Sequence, residues 1–135
     1  MKTVVVGYVE SPEGQAALHA GMTEALRRDA QIVVVHSSKG GALLDGDDAV
    51  AIKQALATVQ QELTADHVPF HIRNLVRGND PAEDLIAMVE EYGAELIVIG
   101  LRHRSTLGKF LLGSDAQQVL MHAQCPVLCV KSDSL

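Results

Sequence analysis

Three stretches of this chain are apolar at consecutive positions, Val4-Val5-Val6, Ile32-Val33-Val34-Val35 and Leu96-Ile97-Val98-Ile99, and they restrict the fold more than any other feature. A strand turns successive side chains to opposite faces, so an unbroken apolar run means a strand covered on both sides, as interior strands of parallel sheets are. Helices must then lie above and below the sheet. These runs predict strands at 3–8, 32–36 and 96–100, and two further apolar runs predict strands at 70–76 and 126–131. Between them the apolar residues change to helical spacing, as in Ala17, Leu18, Gly21, Met22, Ala25 and Leu26, or Ile52, Leu56, Val59 and Leu63, or Leu85, Ile86, Met88 and Val89. The order reads β-α-β-α-β-α-β-α-β. Right-handed crossovers onto a parallel sheet leave one expected topology, a doubly wound α/β layer of five strands in the order 3-2-1-4-5 with helices on both faces.

Helix boundaries are also written into the chain. Ser11-Pro12 sets a capping hydroxyl before a proline at the first helical position, and Asp80-Pro81-Ala82-Glu83 sets a carboxylate there. Ser114-Asp115-Ala116-Gln117 has the Ser-x-x-Gln form of a capping box. Gly93 predicts one helix end, and Asp66-His67 ahead of Val68-Pro69 predicts another.

The 135 residues, 47% hydrophobic and 21% charged, suffice for a single domain spanning 1–135. A net charge of −6 argues against general affinity for nucleic acid, and no apolar run approaches the roughly 18–20 residues of a bilayer crossing. The apolar stretch near the start is too short for a secretory signal, so the expected location is the cytoplasm. Cys125 and Cys129, if four residues apart on one strand, have Cα atoms about 13 Å apart, beyond the roughly 7 Å a disulfide spans. They are expected to be reduced packing residues.

In doubly wound sheets, ligands collect outside the carboxyl ends of the strands where the winding reverses, here between the first and fourth strands. That directs attention to the loop holding Tyr8, Val9 and Glu10, to the loop from Gly100 to Gly113, and to 37–47 as a flap. The 100–113 loop exceeds the usual 2–6 residues of a βα connection. It contains Arg102, Arg104 and Lys109 and no acid, leaving 8 cations against 17 acids in the rest of the chain. Gly113, Ser114 and Asp115 then open a helix, whose unpaired N–H groups and positive dipole end favour an anion. The plainer alternative makes Ser114 a helix cap partnered by Gln117, Gly113 a turn residue and Gly100 a strand-end glycine.

The whole chain resembles the universal stress protein family. The VVVGY start with Ser11-Pro12, IVVVH, VRGNDPAEDLI, AELIVIG, LLGS and CPVLCVK carry the likeness. The family's ATP-binding members share a signature of Gly, two residues, Gly, nine residues, then Gly and Ser or Thr; Gly100, Gly113 and Ser114 match it at the right spacing. The resemblance implies the same five-stranded fold, a stress-response role without catalysis, and ATP or AMP as cofactor. It further implies backbone contacts to adenine beside Ser37, and a homodimer formed by pairing the last strand with its twin through Val127, Leu128, Cys129 and Val130. Two positions depart from the pattern. The signature's second glycine is His103, and the Asp usual near the end of the first strand is replaced by Val9 with Glu10 beside it. Either Arg102, His103 and Arg104 hold phosphate by charge in place of a glycine nest, or the His103 ring fills the space of a triphosphate. In the second case the chain is a dimeric interaction module with a degenerate pocket. Slow ATP hydrolysis requires a base, for which only Glu10 and His103 are candidates.

Other chemistries lack their residues. A phosphoacceptor domain needs clustered acids at the first strand end, and only Glu10 is there. There is no Gly-x-Ser-x-Gly elbow, Walker loop or His-Glu-x-x-His, so no catalytic residue is expected. His67 and His71 flank Pro69 without a third ligand nearby, so no metal is expected. His36 reads as a hydrogen-bonded core imidazole.

Overall fold

Each consecutive apolar run is a strand sandwiched between two helical layers. A computed structural model describes residues 1–38, 46–76, 80–103 and 110–132. Within them the elements are β1 (Thr3–Gly7), α1 (Pro12–Arg28), β2 (Gln31–Ser38), α2 (Gly46–Ala65), β3 (Phe70–Val76), α3 (Pro81–Tyr92), β4 (Leu96–His103), β5 (Phe110–Leu111), α4 (Ser114–His122) and β6 (Val127–Lys131). The five parallel strands lie in the order β3-β2-β1-β4-β6, which is the expected 3-2-1-4-5 arrangement counted over the parallel strands.

The alternation of side chains divides the core in two. Val4, Val6, Ile32, Val34 and Val98 pack with Ala17 and Leu18 of α1 and Val59 and Leu63 of α2. Val5, Val33, Val35, Ile97 and Ile99 pack on the opposite side with Leu85, Met88 and Val89 of α3 and Val119 of α4. Burying such a side chain stabilises the fold by about 1.5–3 kcal/mol, which is why the stretches Val4 to Val6 and Ile32 to Val35 cannot admit an unpaired polar residue cheaply.

Three local expectations need correction. First, the strand that was to end at Gly100 continues to His103, where Arg102 and His103 pair antiparallel with Leu111 and Phe110 of β5. Polar side chains made this segment read as loop, although a ribbon projecting beyond the sheet needs no apolar face. Second, the cap of α4 is Gly113, with Ser114 the first helical residue and no side-chain cap; Gln117 Nε2 instead donates to the Leu112 carbonyl at 3.0 Å. Third, Asp80 occupies the N-cap of α3 in extended conformation but its carboxylate makes no capping bond. Ser11 caps α1 as expected, its hydroxyl accepting from the Gly14 N–H at 3.3 Å, and Gly93 ends α3 in the left-handed region at φ 59°. Cys125 precedes β6 while Cys129 lies in it; both are free, half-buried thiols.

Candidate functional site

All five parallel strands end on one rim, and the helices that follow them start there. The chain leaves β1 toward β2 on one side and β4 toward β6 on the other, so the crossovers diverge and open a crevice above β1 and β4. A cavity of about 370 Å3 fills that crevice, at the lower end of the roughly 300–1,000 Å3 of small-molecule sites. Gly7, Val35 and Ile99 of the sheet, Pro81 and Leu85 of α3, and Val119 of α4 form its apolar wall. Its polar lining includes Glu13, Ser37, Ser114 and Asp115. Three helix N-termini converge on it, through Glu13 of α1, Pro81 of α3 and Gly113 to Ala116 at the start of α4. Each brings the positive end of a helix dipole, which favours a negatively charged guest.

The two signature glycines play different parts. A Cβ at Gly100 would lie 2.2 Å from the Glu13 carbonyl oxygen, so Gly100 is the seat on which the first turn of α1 rests. At Gly113 the backbone is ordinary (φ −68°, ψ 167°), and no described atom beyond its chain neighbours lies within 4 Å of an added Cβ. Neither conformation nor packing among the described residues requires glycine there. The space lies beside the uncapped first turn of α4, where N–H groups point outward.

Around the cavity, polar groups are held in defined pairs. Ser37 follows Val33 and Val35 on the face toward α3, and its hydroxyl donates to Oδ2 of Asp84 at 2.5 Å. Asp84 is only 1% exposed. On the other face, buried His36 lies between Glu10, with Nε2 2.8 Å from Oε1, and Asn74, with Nδ1 3.3 Å from Oδ1. This is the hydrogen-bonded core imidazole the sequence led us to expect. Tyr8 packs its ring in the α1/α2 core and accepts from Gln15 Nε2 at 3.1 Å. Burial pushes its phenol above the ordinary range, the Gln15 bond opposes this, and the Glu10 and Glu62 carboxylates add to the rise.

Of the residues singled out in the sequence, Tyr8, Val9, Ser37, Gly100, Gly113, Ser114 and Asp115 line the cavity. Glu10 is not among the lining residues and is turned onto His36. The backbone of Arg102 and His103 forms the ribbon with β5, and Arg104 and Lys109 lie outside the described residues. Sequence reading did not place Glu13, Pro81, Leu85 and Val119 in the cavity wall, nor Asp84 behind it, because the fold and no local ligand-binding motif brings them there. At the opposite end of the sheet order, β6 pairs with β4, and residues 127–130 are half-buried. Nearby in the chain, Leu120 and Met121 are exposed, Met121 to 78%. Among the described residues, no group of three His, Cys, Asp or Glu could hold a metal ion, and no helix is long and apolar enough to cross a membrane.

The profile of the universal stress protein family matches residues 1–131. A universal stress protein of Mycolicibacterium smegmatis is 42% identical over 128 residues, which cover 95% of this chain and 96% of that one. Among solved structures, a universal stress protein of Archaeoglobus fulgidus superposes with a TM-score of 0.85 at 32% identity, covering 97% of this chain and 99% of the other. A structure of the universal stress protein from the same organism, in complex with dAMP, superposes with a TM-score of 0.80 at 29% identity over 97% of this chain and 98% of that chain. With the profile and these relatives all spanning nearly its full length, the chain belongs to the universal stress protein family.

Proposed function

We propose that this protein binds an adenine nucleotide, AMP or ATP, in the cavity above β1 and β4, and acts as a non-enzymatic stress-response protein of the cytoplasm. The observation that carries this reading is the space at Gly113, which no described atom enters, beside the start of α4 that has no side-chain cap, together with an apolar wall that suits a flat ring. The phosphate would take the N–H groups of the first turn of α4, and the base would lie between Leu85 and Pro81 on one side and the strand ends on the other. The dAMP-bound relative supports the choice of ligand class. Titrating AMP and Mg-ATP into the purified protein while following melting temperature tests it. A ligand at 100 times its Kd stabilises by about 2.7 kcal/mol, so an unmoved melting point at millimolar nucleotide defeats the proposal.

The protein also pairs with its own twin along β6. An apolar strand at a sheet edge presents unpaired N–H and C=O groups, and residues 127–130 are only half-buried by the rest of their own chain. Sedimentation at micromolar concentration should give a species of twice 14.4 kDa; a 14.4 kDa species alone would remove the dimer.

A further inference from the structure

The pairing of Ser37 with Asp84 has a chemical direction that the binding reading above leaves open. Ser37 lines the cavity and lies on the same face as Val35, two positions earlier in β2. Its hydroxyl hydrogen is committed to Asp84 Oδ2 at 2.5 Å. A carboxylate can only accept, so the hydroxyl must be the donor in that bond, and what it has left for a guest is its lone pairs. Asp84 is itself buried and belongs to the first turns of α3, where the positive helix end favours a negative side chain. The arrangement is therefore fixed from behind, by a group that does not line the cavity.

Resting on the nucleotide reading, we infer that Ser37 is a specificity-determining acceptor, oriented by Asp84 as a positioning residue, and that the pair selects bases with an exocyclic amino group over bases with a carbonyl there. An amino donor meets the Ser37 lone pairs and forms a hydrogen bond. A carbonyl in that place sets oxygen against oxygen and leaves a desolvated acceptor unpaired, which is the more costly failure. Placement agrees with the anion end. Ser37 lies at the end of β2, next to its final Ser38, whereas Gly113 and Ser114 open α4 near β4, with β1 between the two strands, so a base at Ser37 and a phosphate at α4 occupy opposite ends of one cavity.

The test compares AMP with IMP, which differ in the amino or oxo group of the base and in the hydrogen that the oxo base carries on N1, by calorimetric titration of the 135-residue protein. The N1 difference is common to wild type and variants, so the change of ratio on substitution reads Ser37. The wild type should bind AMP at least about 10-fold more tightly than IMP. Ser37→Ala should bring the two affinities within about 3-fold of each other. Asp84→Asn gives Ser37 an amide N–H to accept from, frees the hydroxyl hydrogen for the cavity, and should move the preference toward IMP. A lesion that merely loosened the fold would weaken both nucleotides by the same factor, so the ratio reads orientation and not integrity. Equal AMP and IMP affinities in the wild type, or an unchanged ratio in Ser37→Ala, would overturn the inference while leaving nucleotide binding intact. Failure of both nucleotides to bind the wild type would overturn the binding reading and this inference together.

Discussion

Adding one methyl group at Gly100 should destabilise this protein, whereas the same addition at Gly113 should leave its stability intact and harm its binding. At Gly100 the new Cβ meets the Glu13 carbonyl oxygen at 2.2 Å, its carbon at 2.7 Å and the Glu13 Cβ at 2.9 Å. Two of these atoms are backbone, so no rotamer change relieves the clash, and the first turn of α1 must retreat by roughly 1 Å to reach van der Waals contact. That helix is anchored by Ala17 and Leu18, both fully buried, so the retreat strains the packing. Overpacking of this kind costs about 1–3 kcal/mol. For a domain of this size each kcal/mol lowers the melting temperature by about 4 °C, giving an expected loss of about 4–12 °C. Gly113→Ala meets no described atom within 4 Å and keeps an allowed conformation, so the reduced entropy of the unfolded chain should leave it neutral or about 0.4–1 kcal/mol more stable. The chain has no tryptophan, so melting is best followed by far-ultraviolet circular dichroism, with AMP affinity measured on the same samples. A Gly100→Ala protein melting within about 2 °C of the wild type, or a Gly113→Ala protein that melts early, would refute the division of roles.

Three further outcomes can be checked. Burial raises the Tyr8 phenol, so the folded state holds that proton more tightly than the unfolded chain; its stabilising share is complete below about pH 10 and is lost as pH rises through the folded value, and Tyr8→Phe should flatten this alkaline decline in urea titrations. Burial likewise pushes Cys125 and Cys129 up, so iodoacetamide at neutral pH should label the folded protein several-fold more slowly than the urea-unfolded chain; equal rates would contradict the assignment of both as packing residues. His103→Gly restores the glycine of the ATP-binding signature and is expected to raise ATP affinity relative to AMP; a fall for both nucleotides would instead make the imidazole a phosphate ligand.

What could be read in the sequence was local or periodic. The two-sided burial of β1, β2 and β4 follows from valine and isoleucine at adjacent positions, and the strand order from right-handed crossovers, so the cavity's place on the rim was legible before any coordinates. The α4 boundary was misplaced by one residue because Ser-x-x-Gln has the form of a capping box, whereas the helix starts with Gly113 at its cap and Gln117 bonds the Leu112 carbonyl instead. The β4–β5 ribbon went unread because Arg102 and His103 lack the apolar signature of a covered strand. Long-range polar pairs were beyond reach. Nothing near Ser37 announces Asp84, and nothing near Glu10 announces that His36 takes up its carboxylate. Those meetings are set by α3, β2 and the segment after β1 arriving at the same rim from separate parts of the chain.

The two-layered covering of the sheet has a consequence for how such a chain can diversify. Val4, Val5 and Val6, their β2 neighbours Ile32, Val33 and Val34, and Ile97 and Val98 of β4 are completely enclosed, so nearly every change along these stretches of the three central strands is a change of interior volume. Inheritable novelty is thereby confined to the terminal few positions where each strand emerges, residues such as Ser37, Gly100 and His103. Two descendants of one ancestor could share the whole interior and still recognise different molecules.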